Sequence, residues 1–137
     1  MIDRILEVMM LVSIHSLVRW LILVGGALAI IRAAWGWLAS LEFSRPDNVL
    51  GAVFTGLIDL NVLVGLVLLI LKWSDPNRPT LMHPLMMLAA AIVAHGVRML
   101  GRNRNARAQH LTQGLGFLVS LALILVGIGF VMTQPAS

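Results

Sequence analysis

Four apolar stretches, at residues 8–31, 49–71, 81–99 and 111–132, alternate with short polar connections along the chain. A membrane-spanning helix needs about 20 residues, and a lipid core holds no water to satisfy an open strand edge, so each stretch predicts one helix. The pattern as a whole predicts an all-α integral membrane protein: a four-transmembrane-helix bundle, up-down-up-down, forming one membrane domain over residues 1–137. Glycines within the stretches, at positions 25, 26, 51, 56, 65, 96, 114, 116 and 127, would weaken soluble helices but let membrane helices approach closely.

The connections carry the expected stop signals. Residues 44–48 (Ser-Arg-Pro-Asp-Asn) and 74–79 (Ser-Asp-Pro-Asn-Arg-Pro) read as turn clusters that break the helix. Pro84 fits the first turn of the third helix, where its missing N–H does no harm. Trp35, Trp37 and Trp73 fall beside span ends, as interfacial indoles do, whereas Trp20 lies well inside the first span and is expected to pack against a neighbour. Arg4 precedes the first stretch as it would a signal peptide's core, but that stretch is much longer than the roughly 7–15 residues of such a core. It is read as a helix.

Composition agrees with the pattern. Hydrophobic residues make up 59% of the 137 and charged residues 12%, with mean hydropathy +0.93, outside the range of ordinary soluble domains. The absence of cysteine excludes disulfides, thiolate metal sites and Cys-linked haem. No phosphate-cradling glycine loop follows a strand, and no acidic cluster suits a hard metal. The connection at 32–48 carries Arg32 and Arg45, and that at 98–108 carries Arg98, Arg102, Arg104 and Arg107, against Arg4, Lys72 and Arg78 on the opposite side. By the positive-inside rule both termini lie outside, in a bacterial inner membrane. The pI near 11.5 then reflects topology and anionic headgroups rather than nucleic acid.

Two full charges stand deep within apolar runs, Arg19 and Asp59. Such groups are costly in lipid and survive chiefly where they face a protein interior with a partner. Counting rise from the span ends places both about 15 Å deep, which predicts an Arg19–Asp59 structural ion pair with Asn61 beside it.

The four histidines divide by depth into an outer pair, His15 and His83, and an inner pair, His95 and His110. A b-type haem takes imidazole on one or both faces of its iron, and facing helices of a bundle can supply it. His83 and His95 are separated by about 18 Å and 120° on one helix, so one haem is expected rather than two stacked on a face. The expected iron ligands are His15 and His83, with His95 as the alternative to His83. Arg19 shares a helix face with His15 through its i, i+4 spacing and can receive a haem propionate or a quinone carbonyl. The opposing reading has each histidine bonded to a backbone carbonyl or capping a helix. Met82, Met86, Met87 and Met99 are read as packing.

The segment His15-Ser16-Leu17-Val18-Arg19-Trp20, followed by Asp59-Leu60-Asn61 with Gly65, His83-Pro84-Leu85-Met86-Met87 and Ala94-His95-Gly96, resembles a bacterial family of small four-helix membrane proteins similar to b-type cytochromes. The resemblance covers the first three helices and implies that His15, Arg19, Asp59, His83 and His95 form one set. His110 has no counterpart in it.

Two function classes follow: an electron-transfer protein or subunit holding b haem and exchanging electrons with quinol, or a cofactor-free accessory subunit of a respiratory or photosynthetic complex. Partners are the bilayer and other membrane subunits, or further copies of the chain. A proton-linked transporter using Asp59 and Arg19 as a relay comes third.

Overall fold

The structure is a computed structural model that describes residues 1–133. It contains α1 (Ile2–Leu38), α2 (Arg45–Leu71), α3 (Met82–Gly101) and α4 (Ala106–Met132), with no strand among the described residues. All four helices are long and apolar enough to cross a membrane. Each packs against the next, and α4 closes the ring on α1. Large apolar side chains such as Leu17, Ile31, Ile70 and Ile92 point outward, which costs nothing where the surroundings are acyl chains.

The helices extend past the apolar stretches. α1 runs on through Trp35 and Trp37 to Leu38, because an amphipathic indole at the interface continues a helix as readily as it ends one. The turn that follows places Ser40 at φ 52°, with the Leu41 N–H donating to the Gly36 carbonyl at 2.9 Å. The 44–48 cluster, expected to break a helix, instead starts one. Ser44 is the N-cap of α2, Pro46 sits in the first turn, and the Asp47 carboxylate accepts from the Ser44 N–H at 2.8 Å and hydroxyl at 2.9 Å. A first turn has free N–H groups in any case, so proline is tolerated and an acidic side chain is favoured there. Pro84 lies in the first turn of α3, as expected. α4 begins at Ala106, where the Asn105 side chain accepts from the Ala108 N–H at 2.9 Å.

Close approach is made by small residues. A Cβ on Gly26 would meet Phe54, one on Gly116 would strike Val97, and one on Gly114 would crowd Ala33 at 3.2 Å. Gly56 and Gly96 meet nothing. The core is a thin seam that includes Val18, Ile22, Phe54, Ile58, Ala90, Phe117 and Ile124. At its centre the Phe54 and Phe117 rings lie 4.7 Å apart, and Ser120 Oγ donates to the Ala90 carbonyl at 2.7 Å.

Candidate functional site

Toward one end the seam opens into a cavity of about 340 Å³, lined by all four helices. Its walls are mainly apolar, with Ile58, Met87 and Ile124 among them, and its polar groups are His15, Ser16 and Arg19 from α1, Asn61 from α2, Lys72 just past the end of α2 and His83 from α3. A chiefly apolar cleft of this size with a few convergent polar groups is the usual form of a small-molecule site.

His15 and His83 face each other with ring centroids 6.2 Å apart and planes at 79°. Each ring is backed by glycine. A Cβ on Gly65 would lie 3.1 Å from His15 Cε1, and one on Gly127 would collide with Met87 and lie 3.6 Å from His83 Nδ1. His83 Nδ1 is 2.9 Å from the Gly127 carbonyl. A carbonyl can only accept, so Nδ1 carries a proton, and in the neutral ring Nε2 is the nitrogen with the lone pair. Histidine ligands of metals are oriented by this type of bond. On the other ring, His15 Nδ1 is buried without a hydrogen-bond partner, and so is Asn61 Oδ1. Buried polar atoms ordinarily have a protein or water partner, and both of these residues border the cavity.

Arg19 reaches Ser16 Oγ at 3.2 Å and sits 5.8 Å from the Trp20 ring centre. The expected Arg19–Asp59 ion pair is not formed. Asp59 instead accepts from His95 Nε2 at 2.9 and 2.8 Å, and both side chains of that pair are about half exposed (49% and 52%). Rise along a helix leaves azimuth open, and azimuth decides contact. Asn61 lines the cavity and Asp59 does not; two residues apart is about 200° around a helix, so the two side chains point in nearly opposite directions. Arg19 thus borders the cavity with no carboxylate, and the two ion pairs among the described residues are Arg32–Asp47 and His95–Asp59. Trp20, expected to pack against a neighbour, is 59% exposed.

The histidine pairs separate accordingly. The outer pair, His15 and His83, comes together, whereas the inner pair does not. His95, the alternative ligand, is committed to Asp59. His110 is sealed in the core with neither ring nitrogen partnered, its ring 5.1 Å from Phe43 and pressed on Gly36.

No group of three or more His, Cys, Asp or Glu side chains converges among the described residues. Haem asks less of the protein, because its own ring supplies most of the donors and the chain adds one or two imidazoles. Two such imidazoles would have to face each other across a gap. The His15–His83 pair fits that requirement, and the unpaired Arg19 fits a carboxylate-bearing ligand.

Sequence reasoning missed the Arg32–Asp47 pair, in which Arg32 Nε donates to Asp47 Oδ1 at 2.8 Å. The signal was a cation closing one span and an acid opening the next across a short turn. No family model matches the chain, and no curated protein or solved structure is similar to it.

Proposed function

We propose that the chain is a membrane electron-transfer protein or subunit holding one b-type haem between His15 and His83, with Arg19 receiving a propionate. The carrying observation is the facing imidazole pair in an apolar cavity, with His83 Nδ1 fixed on the Gly127 carbonyl so that Nε2 is available. Bound there, haem would supply a one-electron ferric/ferrous couple. The chain's own part is to hold both rings, keep water out with Ile58, Met87 and Ile124, and offset negative charge with Arg19. Quinol is a suitable electron donor for a lipid-embedded site, and such a chain acts as a carrier subunit rather than a free-standing enzyme. In this reading the four helices cross a bacterial inner membrane up-down-up-down with both termini outside, the arginine-rich connections favouring the cytoplasm.

The test is an absorption spectrum of protein purified in mild detergent. A Soret band that shifts on dithionite reduction is expected, lost in His15→Ala and His83→Ala and kept in His95→Ala and His110→Ala. A folded protein that stays colourless when expressed with ample haem, or one bleached only by His95→Ala, would overturn the proposal.

A second reading, an accessory subunit of a larger respiratory or photosynthetic assembly, is favoured by the half-exposed Asp59–His95 pair. A polar pair turned out of the bundle within a span calls for a covering partner, whether another membrane subunit or a further copy. Co-purification in mild detergent, lost in Asp59→Ala, tests it.

A further inference from the structure

The formal charge of +4 is not spread over the molecule. By formal count Arg4, Lys72 and Arg78 are matched by Asp3, Glu7 and Asp75, and Arg19 and Asp59 cancel in number though not in contact, so the excess lies among six arginines and two acids on the 32–48 and 98–108 segments. These segments meet at one end of the bundle, where the Phe43 and His110 rings lie 5.1 Å apart and tilted at 58° and Arg107 lies 5.5 Å from the Trp37 ring centre.

A pocket of about 200 Å³ opens there, lined by Asn48, Arg98, Arg102, Gln109 and Gln113 among others. Among the described residues neither of its arginines forms an ion pair. Asp47 is 1% exposed and already held by Arg32 and Ser44, and Glu42 belongs to neither ion pair among the described residues. Arg98 Nη1 donates to a neutral acceptor, Thr55 Oγ1, at 3.1 Å, which positions the guanidinium without cancelling its charge. The Gln113 side chain, 7% exposed, donates to the Asp47 carbonyl at 3.2 Å, and that of Gln109 donates to the Arg104 carbonyl at 2.9 Å. The glutamines therefore brace the walls and leave the guanidinium groups to meet a ligand. Beside them Gly101 has open space within 4 Å of a would-be Cβ.

We propose that this pocket binds one phosphate group, as carried by the headgroup of an anionic phospholipid. Arginine matches phosphate oxygens with two parallel N–H groups, and basic pockets between membrane helices receive acidic headgroups in this manner. The volume falls below the roughly 300–1,000 Å³ of whole-ligand sites, so it accommodates a headgroup phosphate with the acyl chains outside. The site is independent of the histidine cavity and of any haem.

The experiment measures thermal unfolding of the full chain in neutral detergent with added phosphatidylglycerol, phosphatidylcholine or inorganic phosphate. Phosphatidylglycerol is expected to raise the midpoint, phosphatidylcholine not, with the effect falling at high salt. Arg102→Gln, which leaves the Arg98–Thr55 bond intact, is expected to weaken the response about tenfold, the loss of a charged hydrogen bond. Arg98→Gln should do the same, and Arg78→Gln at the opposite end should not. A shift with inorganic phosphate alone, lost in Arg102→Gln, supports the same site with free anion as its source. No shift with either probe, an undiminished response in Arg102→Gln, or an equal loss in Arg78→Gln overturns the proposal.

Discussion

Asp59 gives both carboxylate oxygens to His95 Nε2, at 2.9 and 2.8 Å, and none to Arg19 on α1. Arg19 and Asp59 therefore belong to two separate polar sets. One is an inward set of His15, Arg19, Asn61 and His83 around the cavity, and the other an outward pair between α2 and α3.

That separation sets the outcome of double-mutant cycles. Asp59→Ala and His95→Ala should be coupled by about 0.5–3 kcal/mol, and Arg19→Ala and Asp59→Ala should add to within about 0.5 kcal/mol. Unfolding of the detergent-solubilised variants provides the measurement. Strong Arg19–Asp59 coupling would return the charge pair to the interior.

Gly65 provides a way to disturb the site without removing a ligand. Its Cβ would lie 3.1 Å from His15 Cε1, so Gly65→Val must displace the imidazole. Haem content is expected to fall as it does in His15→Ala, while Gly25→Ala, whose Cβ meets only Leu57 at an ordinary 3.8 Å, leaves it unchanged. Haem quantified per protein after purification checks both.

The Arg32–Asp47 pair ties α1 to the start of α2. Arg32→Ala removes hydrogen bonds to a carboxylate, worth about 1.5–3 kcal/mol. Asp47→Ala should cost about 1 kcal/mol more, since its contacts to the Ser44 cap are lost as well. Unfolding in mixed micelles ranks the two variants, and the reverse order would contradict the capping role.

Glycine contacts divide just as sharply. Gly116→Ala forces a Cβ onto Val97 and should destabilise by about 1–3 kcal/mol, as overpacking does. Gly116→Ala with Val97→Ala should recover part of that loss, and Gly56→Ala, with nothing in reach, should be close to neutral. Thermal midpoints in detergent distinguish the three.

The four helices were legible in the sequence because bilayer thickness imposes a length and a hydropathy that few other structures need. The joint placement of His15 and Arg19 was legible from i, i+4 spacing, and both border the cavity. Contacts between helices were not, since rise gives depth but rotation depends on packing. Asp59 and Asn61 have nearly the same depth and opposite directions, and only the glycine seams fix which one faces α1. The helix ends were misjudged for a related reason: Ser44, Pro46 and Asp47 are equally at home in a turn and in the first turn of a helix.

α1 comprises 37 residues, about 55 Å at 1.5 Å per residue, while a bilayer with its headgroups is about 40–45 Å thick. At an ordinary tilt of about 20° the rod still projects some 10 Å, or nearly two turns, beyond the lipid. If the overhang is at its N-terminal end, where Asp3, Arg4 and Glu7 sit, those residues form a hydrated spur that water-soluble labelling reagents and antibodies can reach without disturbing the haem cavity.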